Sequence, residues 1–163
     1  AAVQGAAELP LATTPAGPAD LLCAASASGG TIAGLIAGSN GIRVLGIPVV
    51  KDASLHQKIS ALLPEPVSQW HWQLHPELTQ RAYGKFNAAT LNTCLELANQ
   101  QIYTEPVYTG KALHTLLQLV ANGELAQHRR IAFFHTGGLQ GLAGLRYRSL
   151  ISAADYSKLT DAN

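Results

Sequence analysis

The sequence predicts an α/β domain with a mostly parallel, open sheet and flanking helices. Short apolar runs typical of buried strands alternate with segments of helical periodicity, and this alternation leads to parallel strands with helices on the sheet faces. Two predicted strands run into glycine-rich turns, here called the first turn (residues 26–31) and the second turn (residues 136–138). Ligands of parallel sheets bind at the carboxyl ends of strands, where both turns lie. The length of 163 residues suits one domain with a sizeable core.

The first part of the chain is predicted to supply two strands and the helices beside them. Gly30, Gly34 and Gly38 recur on one helical face, which favours close packing of that helix on the sheet. Asp52 and Ser54 are both suitable N-caps for a later helix. The predicted elements are a helix end at 1–11, a loop at 13–18, a strand at 20–25, a helix at 29–39, a strand at 42–50 and a helix of about ten residues that ends at Leu63.

The second part is predicted to begin with an irregular stretch at 64–84. Asn87 is a good N-cap, and Leu91, Leu95 and Ala98 follow it at helical spacing. The predicted elements are a helix at 88–101, a short extended turn at 105–110, a helix at 111–122, a strand at 130–135 and a helix-like segment after the second turn.

The first turn is predicted to bind an anion. A helix N-terminus that follows a strand presents unpaired backbone N–H groups and the positive end of the helix dipole. Gly29 and Gly30 let the backbone approach a phosphate closely, and Ser26, Ser28 and Thr31 can add hydroxyl donors. A phosphorylated ligand or cofactor is therefore expected, with a plain tight turn between strand and helix as the alternative.

Two common nucleotide motifs and a metal motif do not fit. A P-loop requires a lysine that follows neither Gly34 nor Gly38, and a Rossmann fingerprint does not begin with two adjacent glycines. His71 and His75 are spaced like metal ligands, but the stretch between them contains no glutamate and has no clear helical pattern. No metal site is expected.

Charge and cysteine content restrict the class of protein further. A net charge of +1 indicates neither nucleic acid nor an anionic membrane as partner, and no run reaches the roughly 18 apolar residues of a membrane span. Cys23 and Cys94 fit buried, inert thiols in a reducing compartment, and a cytoplasmic location is expected. The sequence contains no methionine, even at position 1, so we expect a processed, trimmed or partial chain.

Three motifs together resemble the family of D-cysteine desulfhydrases and 1-aminocyclopropane-1-carboxylate (ACC) deaminases. They are SASGGTIAGL at 26–35, PVYTGKA at 106–112 and HTGG at 135–138, in the family's order and spacing. The resemblance covers nearly all of residues 20–148. It implies a pyridoxal 5′-phosphate enzyme of fold type II, the tryptophan synthase β-like fold.

The resemblance implies which residues hold the cofactor. Thr136 would approach the pyridine nitrogen. Thr109 occupies the position where the deaminase branch carries glutamate and the desulfhydrase branch carries threonine. Independently of the resemblance, Thr109 is also a suitable N-cap for the following helix. The residues that would cradle the phosphate are Ala27, Ser28, Gly29, Gly30 and Thr31.

The resemblance also implies two catalytic tyrosines and one missing residue. Tyr108 and Tyr83 match the family's active-site tyrosines, which would transfer or polarise a proton at the substrate. The family's Schiff-base lysine lies in an N-terminal half that this chain lacks, and none of its five lysines stands in that context. Residues 1–163 are thus expected to form part of the large cofactor-binding domain and to be inactive alone.

The predicted function is α,β-elimination on a small amino acid of the D-cysteine type, giving pyruvate, ammonia and sulfide. A carboxylate at the pyridine nitrogen would make the ring a strong electron sink, and the hydroxyl of Thr109 does so far less, which disfavours cyclopropane ring opening. ACC deaminase and a non-catalytic module that binds a phosphorylated ligand are the alternatives. A homodimer is the expected assembly, and the low share of charged residues, 13% of the chain, fits surface that is covered by a missing domain or by a second subunit.

Overall fold

The computed structural model describes residues 2–9, 13–64, 66–76 and 85–160. The predicted α/β class is confirmed, because one parallel sheet has helices on both faces. The elements are α1 (Ala2–Ala7), β1 (Thr13–Thr14), β2 (Gly17–Pro18), β3 (Leu21–Ser26), α2 (Gly30–Ala37), β4 (Arg43–Pro48), α3 (Leu55–Ser60), β5 (Trp72–Leu74), α4 (Ala88–Ala98), α5 (Thr109–Ala121), β6 (Ile131–Phe134), α6 (Gly141–Tyr147) and α7 (Ala153–Thr160).

The main sheet has the strand order β5-β4-β3-β6, and all three pairings are parallel. Leu21 of β3 pairs with Arg43 of β4 on one side and with Ile131 of β6 on the other. Every residue of β3 is buried, as its apolar and small side chains allow. Because β3 and β6 are parallel neighbours, the first and second turns leave the sheet at the same edge.

The alternation of side chains along β3 divides the core into two layers. Leu22 and Ala24 pack with Ile32 and Ile36 of α2, whereas the opposite face of β3 packs on α5. A third cluster joins α4, α6 and α7. Both cysteines are free and buried, Cys23 in the layer against α5 and Cys94 in the third cluster. Within the part of the chain that the structure describes, no helix has the length and apolar character to cross a membrane.

Three expectations about packing and secondary structure are wrong. The predicted loop at 13–18 contains the two-residue strands β1 and β2, which pair antiparallel. The stretch predicted as irregular contains β5, a three-residue edge strand that pairs with β4. The glycine face of α2 packs on α1 rather than on the sheet. A Cβ at Gly34 would lie 2.5 Å from the Cβ of Ala6 and closer still to the Val3 carbonyl oxygen, and one at Gly38 would meet the backbone of Ala7.

Replacing Gly34 with alanine tests this α1–α2 contact. We expect Gly34→Ala to lower the free energy of unfolding by about 1–3 kcal/mol, because the added methyl group overpacks against α1. Gly5→Ala is the matched control, since Gly5 lies in α1 and its added methyl group would have no heavy atom within 4 Å. The control should be neutral or stabilising by up to about 1 kcal/mol. Urea denaturation measures both, and equal stability of the two variants would contradict the packing.

Candidate active site

The first turn has the backbone geometry of an anion cradle. Gly29 is the N-cap of α2 with φ +88°, in the left-handed region that favours glycine. A Cβ there would lie 2.7 Å from Cγ1 of Ile59. The amide of Ala33 donates to Gly29 O at 2.9 Å, so the amides of residues 30–32 precede the first intrahelical hydrogen bond and point out of the helix end. No acidic residue stands in the first turn of α2.

A second observation at this turn points to a ligand. The Ser26 side chain is 2% exposed, and its hydroxyl oxygen has no hydrogen-bond partner among the described residues. An unsatisfied buried polar group costs roughly 1–3 kcal/mol. Ser26 ends β3 and directly precedes the cradle, where Ser28 is exposed and Thr31 is half-buried. This set of amides and hydroxyls fits a phosphate group.

All three sequence motifs meet around one cavity of about 490 Å³. Thr31 contributes from the first turn, Tyr108 from the start of α5 and Thr136 from the second turn. Glu105 and Arg148 also line it. The cavity therefore brings together one residue of the predicted phosphate cradle, one predicted catalytic tyrosine and the residue predicted to approach the cofactor ring.

Tyr108 joins the start of α5 to the end of β3. It is the N-cap residue of α5, with the non-helical backbone angles φ −120° and ψ −82°. Its half-buried side chain reaches β3, where the hydroxyl donates to the Ala25 carbonyl oxygen at 3.4 Å. The Tyr108 hydroxyl therefore lies at the end of β3, next to Ala25, which precedes the first residue of the phosphate cradle, Ala27, by two positions.

Thr109 is placed differently from the sequence-based expectation. It is 1% exposed, and its hydroxyl donates to the Gly137 carbonyl oxygen at 2.5 Å. The N-cap role predicted for Thr109 is wrong, because Tyr108 is the N-cap and Thr109 is the first residue of α5. Thr109 lies outside the described lining of the cavity and ties α5 to the second turn.

The side chain that accepts hydrogen bonds from the backbone amides at the start of α5 is that of Glu105, which was not among the predicted site residues. Its carboxylate is 3% exposed and accepts hydrogen bonds from the amides of Val107 (2.7 Å), Tyr108 (2.9 Å) and Thr109 (2.7 Å). Burial raises the pKa of Glu105, and the amide hydrogen bonds act in the opposite direction. An acidic residue just before a predicted helix start was the available signal, since carboxylates stabilise helix N-termini.

The second turn is fixed by His135 and by Glu105. His135 accepts at Nδ1 from the Gly137 amide (3.1 Å), and its Nε2 lies 2.9 Å from the Tyr103 carbonyl oxygen. This pair of contacts assigns the proton to Nε2, where it bonds Tyr103. His135 therefore links the second turn to the Tyr103 backbone. Gly138 has φ +116°, and a Cβ there would lie 2.8 Å from Glu105 Oε1.

Tyr83, the second predicted catalytic tyrosine, lies outside the described residues. Within the described ranges, no three histidine, cysteine, aspartate or glutamate side chains are grouped so that they could hold a metal ion.

Comparisons with known proteins agree with the motifs. No family model matches the chain. A protein of Pyrococcus horikoshii named putative 1-aminocyclopropane-1-carboxylate deaminase is 32% identical over 133 residues, which cover 75% of this chain and 40% of the relative. A solved structure described as an ACC deaminase homologue superposes with a TM-score of 0.66 at 30% identity, covering 82% of this chain and 44% of that one. The chain is therefore similar to part of the length of ACC deaminases, consistent with a partial protein of the ACC deaminase and D-cysteine desulfhydrase family.

Other proteins named ACC deaminase are similar to this chain over shorter segments. The 1-aminocyclopropane-1-carboxylate deaminase of Ralstonia pickettii is 38% identical over 61 residues, or 37% of this chain and 18% of the relative. The domain has the architecture of pyridoxal-phosphate fold type II, as predicted. The chain spans about 40% of the length of the Pyrococcus relatives that it matches.

The conformation of the first turn is testable by a pair of glycine substitutions. Gly29→Ala introduces both a strained backbone and a clash with Ile59, whereas Gly41→Ala, at φ +86° with no heavy atom within 4 Å, introduces the strain alone. We expect Gly41→Ala to lower the unfolding free energy by roughly 1–2 kcal/mol and Gly29→Ala to lower it by a further ~1–3 kcal/mol. Thermal denaturation compares them, and equal losses would show that Ile59 does not restrict the turn.

Proposed function

We propose that this chain forms the cofactor-binding part of a pyridoxal 5′-phosphate-dependent enzyme acting on a small amino acid. The observation that carries the proposal is the single cavity lined by Thr31, Tyr108 and Thr136. The orphaned hydroxyl of Ser26 supports it, because a bound phosphate would supply an acceptor beside the cradle. The relatives named as ACC deaminases belong to a family of enzymes, so the proposal extends a family property to this chain.

The residues of the chain have distinct tasks in this proposal. When bound, the cofactor supplies an electron sink that stabilises negative charge at the substrate Cα. The amides and hydroxyls of residues 27–31 would hold its phosphate, and Thr136 would contact its ring. The Tyr108 hydroxyl would move or polarise a proton at the substrate. Arg148 lines the same cavity and would attract a substrate carboxylate.

For the reaction we propose α,β-elimination of the D-cysteine type. Glu105 is the one carboxylate among the described residues that line the cavity. Both of its oxygens accept backbone amides, so the carboxylate is already committed to α5. A cofactor ring whose nitrogen contacts only hydroxyl groups would be a weaker electron sink than one whose nitrogen is held by a carboxylate. The weaker sink would suffice for loss of a good β-leaving group. The names of the relatives favour ACC deaminase as the second candidate.

Binding of pyridoxine 5′-phosphate to the purified chain tests the cofactor proposal. This probe has the ring and the phosphate but no aldehyde, so it cannot react with lysine side chains. We expect saturable binding by calorimetry, and at least about tenfold weaker binding of pyridoxine, because the phosphate makes charge-assisted hydrogen bonds to the first turn. Equal affinity for the two probes would contradict a phosphate cradle. Phosphate-dependent binding that ignores the ring, shown with inorganic phosphate, would favour the non-catalytic module.

Replacing Tyr108 with phenylalanine tests its catalytic role. The assay uses a fusion in which this chain replaces the matching segment of the Pyrococcus horikoshii relative, which supplies the remaining part of the fold. Tyr108→Phe should lower kcat by about 10²–10⁴ because it removes a proton-transfer group. Tyr147→Phe, at a side chain 91% exposed, is the control and should leave kcat unchanged.

The product distinguishes the two reactions. Sulfide and pyruvate from D-cysteine would support elimination, and 2-oxobutanoate from 1-aminocyclopropane-1-carboxylate would support the deaminase instead. An active fusion that tolerates Tyr108→Phe without loss would remove Tyr108 from the mechanism.

A further inference from the structure

Three residues predicted from the motifs, Tyr108, Thr109 and Thr136, are carried by two segments far apart in the chain. In the structure, one buried side chain contacts both segments. Glu105 accepts hydrogen bonds from the start of α5 and packs against the second turn. We propose that Glu105 is a positioning residue, whose carboxylate sets Tyr108 and the second turn relative to each other across the cavity. A catalytic effect of this positioning rests on the proposed function, whereas the contacts of Glu105 with α5 and the second turn do not.

The hydrogen bonds that Glu105 accepts at the start of α5 centre on the backbone amide of Tyr108. Oε1 accepts from the amides of Tyr108 (2.9 Å) and Thr109 (2.7 Å), and Oε2 accepts from Val107 (2.7 Å) and Tyr108 (3.0 Å). Tyr108 has non-helical angles, so the helix does not impose its conformation. Both carboxylate oxygens hold the Tyr108 amide instead, and the direction of the tyrosine side chain depends on that amide plane.

The same carboxylate defines how closely the second turn can approach. A Cβ at Gly138 would lie 2.8 Å from Oε1 and 3.1 Å from Cγ of Glu105, so glycine is required for this contact. The Thr109 hydroxyl adds a hydrogen bond to the Gly137 carbonyl oxygen. Glu105 and Thr109 together lock residues 136–138 against α5.

The charge of Glu105 matters as well as its shape. Lys111, in the first turn of α5, is 2% exposed, and its Nζ has no hydrogen-bond partner among the described residues. A cation at a helix N-terminus opposes the helix dipole. Burial lowers the pKa of Lys111, and the carboxylate of Glu105 acts in the opposite direction by favouring the charged form of Lys111. A neutral amide at position 105 would remove an interaction that favours the charged form of Lys111.

Glu105→Gln is the direct test, with Asp20→Asn as its matched control. Asp20 also accepts backbone amides, from Arg129 and Arg130, but it precedes β3 at the opposite edge of the sheet. Glutamine has one acceptor oxygen, so at least one of the three α5 amides loses its partner. We expect hydrogen exchange at residues 107–109 to accelerate at least about tenfold and the NMR resonance of Tyr108 Cζ to shift. Pyridoxine 5′-phosphate should bind at least about tenfold more weakly. Asp20→Asn should change none of these.

Wild-type exchange rates and an unshifted Tyr108 resonance in Glu105→Gln would overturn the proposal. These two readouts need no ligand, so they remain decisive if the wild-type chain does not bind pyridoxine 5′-phosphate, an outcome that would count against the proposed function alone. If Glu105→Gln does not fold, Gly138→Ala displaces the carboxylate from the other side. Its control is Gly137→Ala, at φ +101° with no heavy atom within 4 Å. The Tyr108 resonance should shift in Gly138→Ala only, and equal shifts in both would contradict the proposal.

Discussion

The site depends on the parallel pairing of β3 and β6. Parallel neighbours have their carboxyl ends at one edge of the sheet, so two segments more than 100 residues apart deliver their turns to the same place. The register is fixed because β3 is buried on both faces, and a shift by one residue would exchange the side chains that face α2 and α5. The core layers of the sheet therefore determine where the first and second turns meet.

Two helix N-termini converge on this edge, and they differ in their electrostatics. The amides at the start of α5 are satisfied within the chain by Glu105. The start of α2 has a glycine N-cap with no side-chain hydrogen bond and no acidic residue in its first turn. The positive end of α2 thus stays available to an external anion, whereas that of α5 is neutralised by a carboxylate. This difference supports the proposal that a phosphate binds at the first turn rather than at the start of α5.

Local patterns predicted much of the fold and the site. The buried strands β3 and β4, the Asn87 N-cap of α4, which accepts from the Thr90 amide at 2.8 Å, and both glycine-rich turns follow from composition and spacing. Features set by contacts distant in sequence were missed. The edge strand β5 has three residues and only part of its surface buried, so its pairing with β4 leaves no periodic signal. The glycine face of α2 indicated a close partner but could not identify α1, and the role of Glu105 depends on Gly138, 33 positions further along the chain.

The environment around Glu105 also bears on the choice between elimination and ring opening. A strong electron sink would need a carboxylate free to hold a proton on the ring nitrogen. Here the buried carboxylate at the cavity is occupied by three amides, and the Thr109 hydroxyl is committed to Gly137. The Glu105 carboxylate is therefore not free to bind a ring nitrogen, whereas the hydroxyl-bearing residues Thr31, Tyr108 and Thr136 line the cavity. Such a site would suit a substrate whose β-substituent leaves readily, which is the physical argument for proposing the D-cysteine type of reaction alongside the deaminase activity that the relatives' names give.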